Sequence, residues 1–324
     1  MLNVLLVGCG NIAGGFDDDA AQQDFAKTHA KAYQKNPHTQ VITCVDNNIE
    51  RAAHFSLRWG IDNYYASIAD IPTDIPIDIV SICSSTESHK MLIKEAIERS
   101  PKAIFCEKPL SLTCSEGHDI LASLEEREIS MVINYSRRWD TKVKELQQNL
   151  STGVLGEVRN ISAVYNKGLL NNGSHMIDLL RSLLGELSVV RAWDMGFNSL
   201  HNDKDISAIL KTPNGEDIHL ICNDSGDYSQ FELTILTSEC EIRMLDGGLR
   251  WCRRSVQHSD VFPGYKTLSK EEFSAGEYFP VMENAVQEVV TQVLSQNFSI
   301  ESAKQALATQ ETCEEIVRNS YEHS

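Results

Sequence analysis

The sequence predicts an α/β protein: a doubly wound parallel sheet first, then a second α/β domain built on an open, mostly antiparallel sheet. Three observations carry this. Over residues 1–134, short apolar runs alternate with amphipathic stretches, the pattern of βαβ units. Beyond about residue 135, strand-like runs succeed one another across turns such as Asn214-Gly215 and Asp246-Gly247-Gly248, as in an antiparallel or mixed sheet. Directly after the first apolar run stands Gly8-Cys9-Gly10-Asn11-Ile12-Ala13.

Taken in order, strands are expected over 2–7, 40–45, 77–82, 102–106 and 130–134, with helices over 27–36, 48–58, 87–99 and 114–127. Ala103-Ile104-Phe105-Cys106 is apolar without alternation, as a strand covered on both faces must be. These elements make a first domain of residues 1–134, and 135–324 make a second. The second opens with a helix near 140–150, a turn through Gly153 to Gly156 and a strand over 158–165. A helix follows over 174–184. Strands are then expected near 188–196, 205–212, 216–223, 229–236 and 239–245, and helices near 281–295 and 301–321. Ser299-Ile300-Glu301-Ser302 gives the last helix a polar start. Asp17-Asp18-Asp19 reads as a short solvated acidic loop.

Composition narrows the function. The 324 residues are 42% hydrophobic and 23% charged, ordinary for a soluble globular chain. A formal net charge of −17 argues against a nucleic-acid or anionic-membrane binder, which needs a basic face. The nine cysteines lack CxxC pairs, and several lie in apolar runs (Cys44, Cys83, Cys106, Cys222), so free buried thiols are expected rather than disulfides or a metal site. The N-terminal apolar run lacks a basic flank and ends at Gly8, which reads as a first strand and not a signal peptide. A cytoplasmic location is expected.

The glycine motif has the form GxGxxA in its required context: a strand before it, a βαβ unit around it, and Asp46 closing the second strand. The first glycine serves the tight turn, the second lets a pyrophosphate approach, and the small third residue allows close packing. This is a dinucleotide-binding Rossmann arrangement. Asp46 would accept from a ribose 2′-hydroxyl and repel a 2′-phosphate. The first basic residue after it is Arg51, so NAD is expected over NADP. Asp46 could instead cap the helix over 48–58, although Asn47 can fill that role. Between Ala13 and Thr28 the chain inserts a dozen or so residues, so the first helix is delayed or interrupted and the aspartates should turn away from the pyrophosphate.

Lys108 follows the apolar run 103–106 and so falls at a strand's carboxyl end, where open α/β sheets bind ligands. Several motifs in fixed order then resemble the Gfo/Idh/MocA family of pyridine-nucleotide sugar oxidoreductases. They are GxGxxA, Thr28-His29-Ala30, Asp46, Ser84-Ser85-Thr86-Glu87-Ser88-His89, Glu107-Lys108-Pro109, Gly156-Glu157-Val158 and Gly173-Ser174-His175-Met176-Ile177-Asp178. The resemblance implies a Rossmann domain plus an α/β domain whose open sheet makes a homodimer or homotetramer. It implies Gly8, Gly10, Asn11 and Ile12 along the pyrophosphate, Asp46 at the adenosine ribose, and Ser84, Ser85 and His89 beside the cofactor. Glu107 would face the nicotinamide side and Lys108 the substrate hydroxyl, with a Lys108–Pro109 bond that is often cis in this motif. His175 would be the second catalytic group. The implied substrate is a sugar, polyol or nucleotide sugar, as in surface-polysaccharide pathways.

Hydride transfer at a carbinol needs a base for the hydroxyl proton and a donor or cation for the developing alkoxide. Lys108 and His175 can divide these roles. Asp178, three residues after His175, either orients it or favours the helix N-terminus. In the family an aspartate stands four positions before this histidine; here that place is Asn171, which leaves Lys108 and His175 as the minimal set. Arg137, Arg138, Lys167, Asn171, Asn172 and Asp178 are candidate substrate contacts. Arg137 and Arg138 serve equally well as interdomain ion-pair partners, and Lys167 as a solvated charge. Two other classes stay open: a noncatalytic NAD-binding regulator, and an enzyme that uses bound NAD catalytically in elimination or glycoside cleavage.

Overall fold

Six parallel strands make the first sheet of the computed structural model, which describes residues 1–18, 24–197, 200 and 202–322. They are β1 (Leu2–Val7), β2 (Thr39–Val45), β3 (Asn63–Tyr65), β4 (Ile79–Ile82), β5 (Ala103–Cys106) and β6 (Ser130–Ile133), in the order β3-β2-β1-β4-β5-β6. Every pairing is parallel. All four residues of β4, of β5 and of β6 are buried, which is why these runs do not alternate. The helices between the strands are α1 (His29–Lys35), α2 (Ile49–Trp59), α3 (Thr86–Glu98) and α4 (Cys114–Arg127). The strand order reverses between β1 and β4, and the carboxyl ends there form the edge at which such sheets bind ligands.

The second sheet begins at β7 (Val158–Tyr165), after α5 (Thr141–Ser151), and α6 (Ser174–Leu184) follows it. Then come β8 (Ser188–Asp194), β9 (Ile206–Lys211), β10 (Asp217–Cys222), β11 (Phe231–Thr237), β12 (Cys240–Leu245), β13 (Arg250–His258), β14 (Lys266–Leu268) and β15 (Glu272–Ala275). Among the described residues of this sheet only the β7–β10 pairing is parallel; the rest are antiparallel. Along β11 buried residues alternate with half-buried ones, the mark of a sheet packed on one face. Its core joins Ile161, Leu233 and Ile235 of the sheet to Leu146 of α5, Ile177 and Leu180 of α6 and Ile316 near the C-terminus.

The chain closes with α7 (Val281–Leu294) and α8 (Glu301–Glu322), where Ser299 Oγ accepts from Glu301 N at 3.3 Å. The two compact units are Met1–Trp139 with Phe279–Ala308, and Asp140–Tyr278 with Thr309–Ser324. A single cut near residue 134 therefore misses the return of 279–308 to the first unit. The reason lies at edge strand β6. Met131 N donates to Ser299 O at 3.0 Å and Ile133 N to Ser302 Oγ at 3.0 Å, so the returning segment satisfies an otherwise open edge. The sequence reading does not include β3, an edge strand only three residues long, or β13–β15, which lack clean alternation. No helix among the described residues is long and apolar enough to cross a membrane. All nine cysteines are free, and eight are buried.

The first helix is interrupted, as its sequence suggested. One turn over 11–14 and a 3-10 turn at Gly15–Asp17 follow the glycine motif, and α1 starts only at His29. His29 N and Ala30 N donate back to Ile12 O (3.2 Å) and Ala13 O (2.9 Å), so α1 resumes where the first turn left off and the insertion bulges out between. The acidic run is not wholly solvated. Asp17 is buried, and its Oδ2 accepts from Thr28 Oγ1 (2.7 Å) and Lys27 N (3.1 Å). Asp18 is exposed, and Asp19 lies outside the described residues. Glu283 of α7 holds the end of the insertion, accepting from Ala26 N (2.9 Å) and Lys35 Nζ (2.8 Å). Asp17→Ala would strand both donors, and urea unfolding should show a loss of about 1–3 kcal/mol. An unchanged midpoint would contradict this bracing role.

Candidate functional site

The ends of β1, β2 and β4 enclose a cavity of about 490 Å³, lined among others by Gly8, Cys9, Gly10, Asp46, Arg51, Ser67, Ser84, Ser85 and Glu95. Gly8 has φ +90°, and a Cβ there would stand 2.9 Å from Ser84 N. Only glycine meets both the turn and this close approach of the chain after β4. Gly10 is different: a Cβ there would meet nothing within 4 Å. It lines the cavity, so the space beside it is open to a ligand rather than filled by protein. Ala13 is fully buried. These are the three demands that a pyrophosphate places on the turn, and the residues fit a dinucleotide.

Asp46 holds the turn in place. Its Oδ2 accepts from Cys9 N at 2.9 Å and its Oδ1 from Asn48 N at 2.9 Å, while Arg51 Nη2 forms an ion pair with Oδ1 at 3.0 Å. The cap of α2 is Asn48, whose side chain accepts from Glu50 N and Arg51 N, rather than Asp46 or Asn47. Asn11 and Ile12 lie just beyond the residues lining the cavity. His89 also falls short of the lining. It is fully buried, with Nδ1 2.8 Å from Pro109 O and Nε2 3.2 Å from Ser84 O, so it braces the wall from behind.

At the carboxyl end of β5, half-buried Glu107 is the centre of a hydrogen-bonded network. Its Oε1 lies 2.8 Å from His29 Nε2 and accepts from Asn134 Nδ2 at 2.7 Å. His29 is fully buried, and its Nδ1 lies 2.8 Å from Ser81 Oγ. An ionised carboxylate only accepts, so Nε2 carries the proton. Burial pushes the Glu107 carboxyl up, but the His29 hydrogen bond and charge, the Asn134 bond and Lys108 outweigh it and hold the group below the ordinary carboxylate range. Lys108 is half-buried, and the Lys108–Pro109 bond is cis. Arg137 and Arg138 sit half-buried in the 3-10 turn Ser136–Trp139, where Arg137 Nη1 donates to Ser136 Oγ at 2.9 Å.

In the second unit, Lys167 (φ +67°) and Gly168 (φ +79°) turn the chain out of β7 into a wide π-helical turn, Gly168–Gly173, and then into α6. Asp203 fixes that turn: its carboxylate accepts from Leu170 N (2.9 Å) and Asn171 N (2.8 Å) and fills the space a Cβ on Gly168 would need. Asn171 Nδ2 donates to Lys167 O (3.2 Å) and Asn172 Nδ2 to Asn166 O (2.9 Å). His175 is half-buried in the first turn of α6. Asp178 is fully buried, and its Oδ1 accepts from Thr309 Oγ1 at 3.2 Å. It is therefore a packing residue against α8 rather than a substrate contact.

Comparison with known proteins agrees with this arrangement. Residues 2–135 match the model of the GFO_IDH_MocA oxidoreductase family, NAD-binding Rossmann fold. The match spans the Rossmann strands and ends just after the last of them. A relative in Bacillus subtilis (strain 168), the uncharacterized oxidoreductase YrbE, is 27% identical over 173 residues, covering 49% of this chain and 50% of its own. Inositol 2-dehydrogenase of Rhizobium meliloti (strain 1021) is 27% identical over 210 residues, covering 59% of this chain and 63% of its own. The chain thus matches less than two thirds of the length of either. Levoglucosan dehydrogenase, solved with NADH and levoglucosan, is 18% identical, covers 100% of this chain and 98% of its own, and superposes with a TM-score of 0.80, which shows a shared fold.

Glu107 is legible in the sequence, but its tie to His29 and Asn134 is not. The only signals were the Thr28-His29-Ala30 motif and the position of Asn134 at the end of β6. Because the folded Glu107 carboxyl lies below its unfolded value of about 4.3, the unfolded chain takes up this proton first as pH falls. The stability from this group is present above about pH 4.3 and is lost as pH drops through the folded value. Glu107→Gln keeps an acceptor for both partners but cannot ionise. Urea unfolding at a series of pH values should show the wild-type advantage shrinking below about pH 5. A constant difference across the series would contradict the shift.

Proposed function

We propose that the protein is an NAD(H)-dependent dehydrogenase or reductase acting on a hydroxyl or keto carbon of a sugar or polyol. The observation that carries this reading is the shared edge. Gly8, Asp46, Ser84 and Lys108 all follow the carboxyl ends of one parallel sheet, and a cavity fitting a dinucleotide opens there. Gly8 and Gly10 leave room for the pyrophosphate, and Asp46 accepts from the ribose. The nicotinamide, when bound, supplies or takes the hydride. The family match and the sugar and polyol substrates of its named relatives support the same class.

The chain's own work is to hold the substrate hydroxyl and manage its proton. Lys108, beside an ionised Glu107, is the cation that stabilises a developing alkoxide at its Nζ. His175 exchanges the hydroxyl proton, since an imidazole titrates near neutrality by default. Asn171 has no proton to exchange at neutral pH, so the relay has two members rather than three. Arg137, Arg138 and Lys167 supply positive charge for an anionic substituent on the substrate, such as a carboxylate or phosphate. A homo-oligomer built on the open second sheet is part of the same reading.

Lys108→Met should bind NADH, as followed by quenching of protein fluorescence, yet turn over its sugar or polyol at least about 10²-fold more slowly. Full turnover in a variant that binds NADH would remove Lys108 from the mechanism.

A further inference from the structure

The second unit has a cavity of its own. It holds about 130 Å³ between α5 and the β13 edge of the second sheet, and it shares no lining residue with the dinucleotide cavity. On the sheet side, Ile242 of β12 pairs with Arg253 of β13, and Trp251 pairs with Ser274 of β15, so these four share one face. On the helix side, Lys142, Glu145, Leu146 and Asn149 face it at spacings of three and four along α5. Leu146, Leu155 and Ile242 are buried and make the wall largely apolar.

Two donors at this wall lack an acceptor. Trp251 is 7% exposed, and its indole Nε1, out of solvent, has no hydrogen-bond partner. A buried N–H left in that state is costly, and native structures satisfy it with protein, water or a ligand. The cavity is several times the ~30 Å³ that one water takes. Arg253 is exposed and makes no ion pair among the described residues, although Glu272 stands opposite it on β15. Lys142 is already committed, with Nζ on Glu145 Oε2 at 2.9 Å. An apolar wall with an indole N–H and a guanidinium calls for a negative acceptor on a short apolar body.

We propose that this cavity binds a small aliphatic carboxylate, whose oxygens accept from Trp251 Nε1 and Arg253 and whose chain lies against Leu146, Leu155 and Ile242. A guanidinium can hold a carboxylate through two parallel N–H groups. The indole is the polar handle of an otherwise apolar surface. The ligand bridges α5 and the sheet edge, so it stabilises the second unit by mass action. The site is independent of the proposed hydride transfer and is built from the second unit alone.

The probes are butyrate, its neutral counterpart butyramide, and chloride at equal ionic strength, each added to the full chain. The indole N–H resonances of the four tryptophans are followed by NMR. Trp59→Phe, Trp139→Phe and Trp193→Phe identify that of Trp251 by elimination and leave the cavity intact. With butyrate the Trp251 resonance should move downfield and saturate, as its N–H gains an anionic acceptor, while chloride leaves it in place. Butyramide should bind at least about tenfold more weakly, and Arg253→Ala should weaken butyrate by a similar factor. The exposed position of Arg253 lets this variant fold, and a thermal melt checks it. A Trp251 resonance that butyrate does not move overturns the proposal and leaves water as the partner of the indole. Equal binding of butyrate and butyramide, or an unchanged butyrate affinity in Arg253→Ala, overturns it as well.

Discussion

A single carboxylate oxygen, Oε1 of Glu107, organises the carboxyl edge of the first sheet. It gathers His29 from α1 and Asn134 from the end of β6, and through His29 it reaches Ser81 of β4. Three neighbouring strand ends and the helix over them are thereby fixed relative to one another. A carboxylate taken out of water costs several kcal/mol unless charge and hydrogen bonds replace its hydration. Here they do, and the group stays ionised beside Lys108. The same interaction that closes the fold therefore keeps an anion next to the lysine assigned to the chemistry.

This constraint explains the form of the insertion. His29 reaches Glu107 only if α1 begins at the right height over the sheet, whatever lies between it and the glycine turn. The carbonyls of Ile12 and Ala13 set that height by accepting from the first two N–H groups of α1. Asp17 and Glu283 then hold the two ends of the extra loop. The loop can be long because its roots are fixed. Two of its acidic residues have partners in the structure: Asp17 is a buried acceptor, and Asp18 pairs with Arg58.

Much of this was legible in the residues. The unalternating runs at β4, β5 and β6, the GxGxxA turn and the strings of antiparallel strands each follow from a local period or a local turn chemistry, which a linear sequence records. The cis bond at Lys108–Pro109 was implied only by the family resemblance of its motif. What escaped depends on groups far apart in the chain. The resemblance implies His89 beside the cofactor, but its ring is held between Pro109 O, twenty residues on, and Ser84 O. Asp178 reads as an orienter of His175 or as a helix-start carboxylate, and its bond to Thr309, 131 residues on, has no local signal. The return of 279–308 to the first unit is settled by an open strand edge, a feature with no signature in the returning segment.

The central claim is that this edge serves net hydride transfer between a nicotinamide and a carbinol. It is tested most directly by mixing the protein with NAD and a panel of polyols and aldoses while following reduced nicotinamide and the carbonyl product together. The account predicts that, for at least one member, reduced nicotinamide accumulates one for one with the oxidised product. A substrate consumed with the cofactor returned to its oxidised form every cycle, or a bound dinucleotide that no member of the panel reduces, would contradict it.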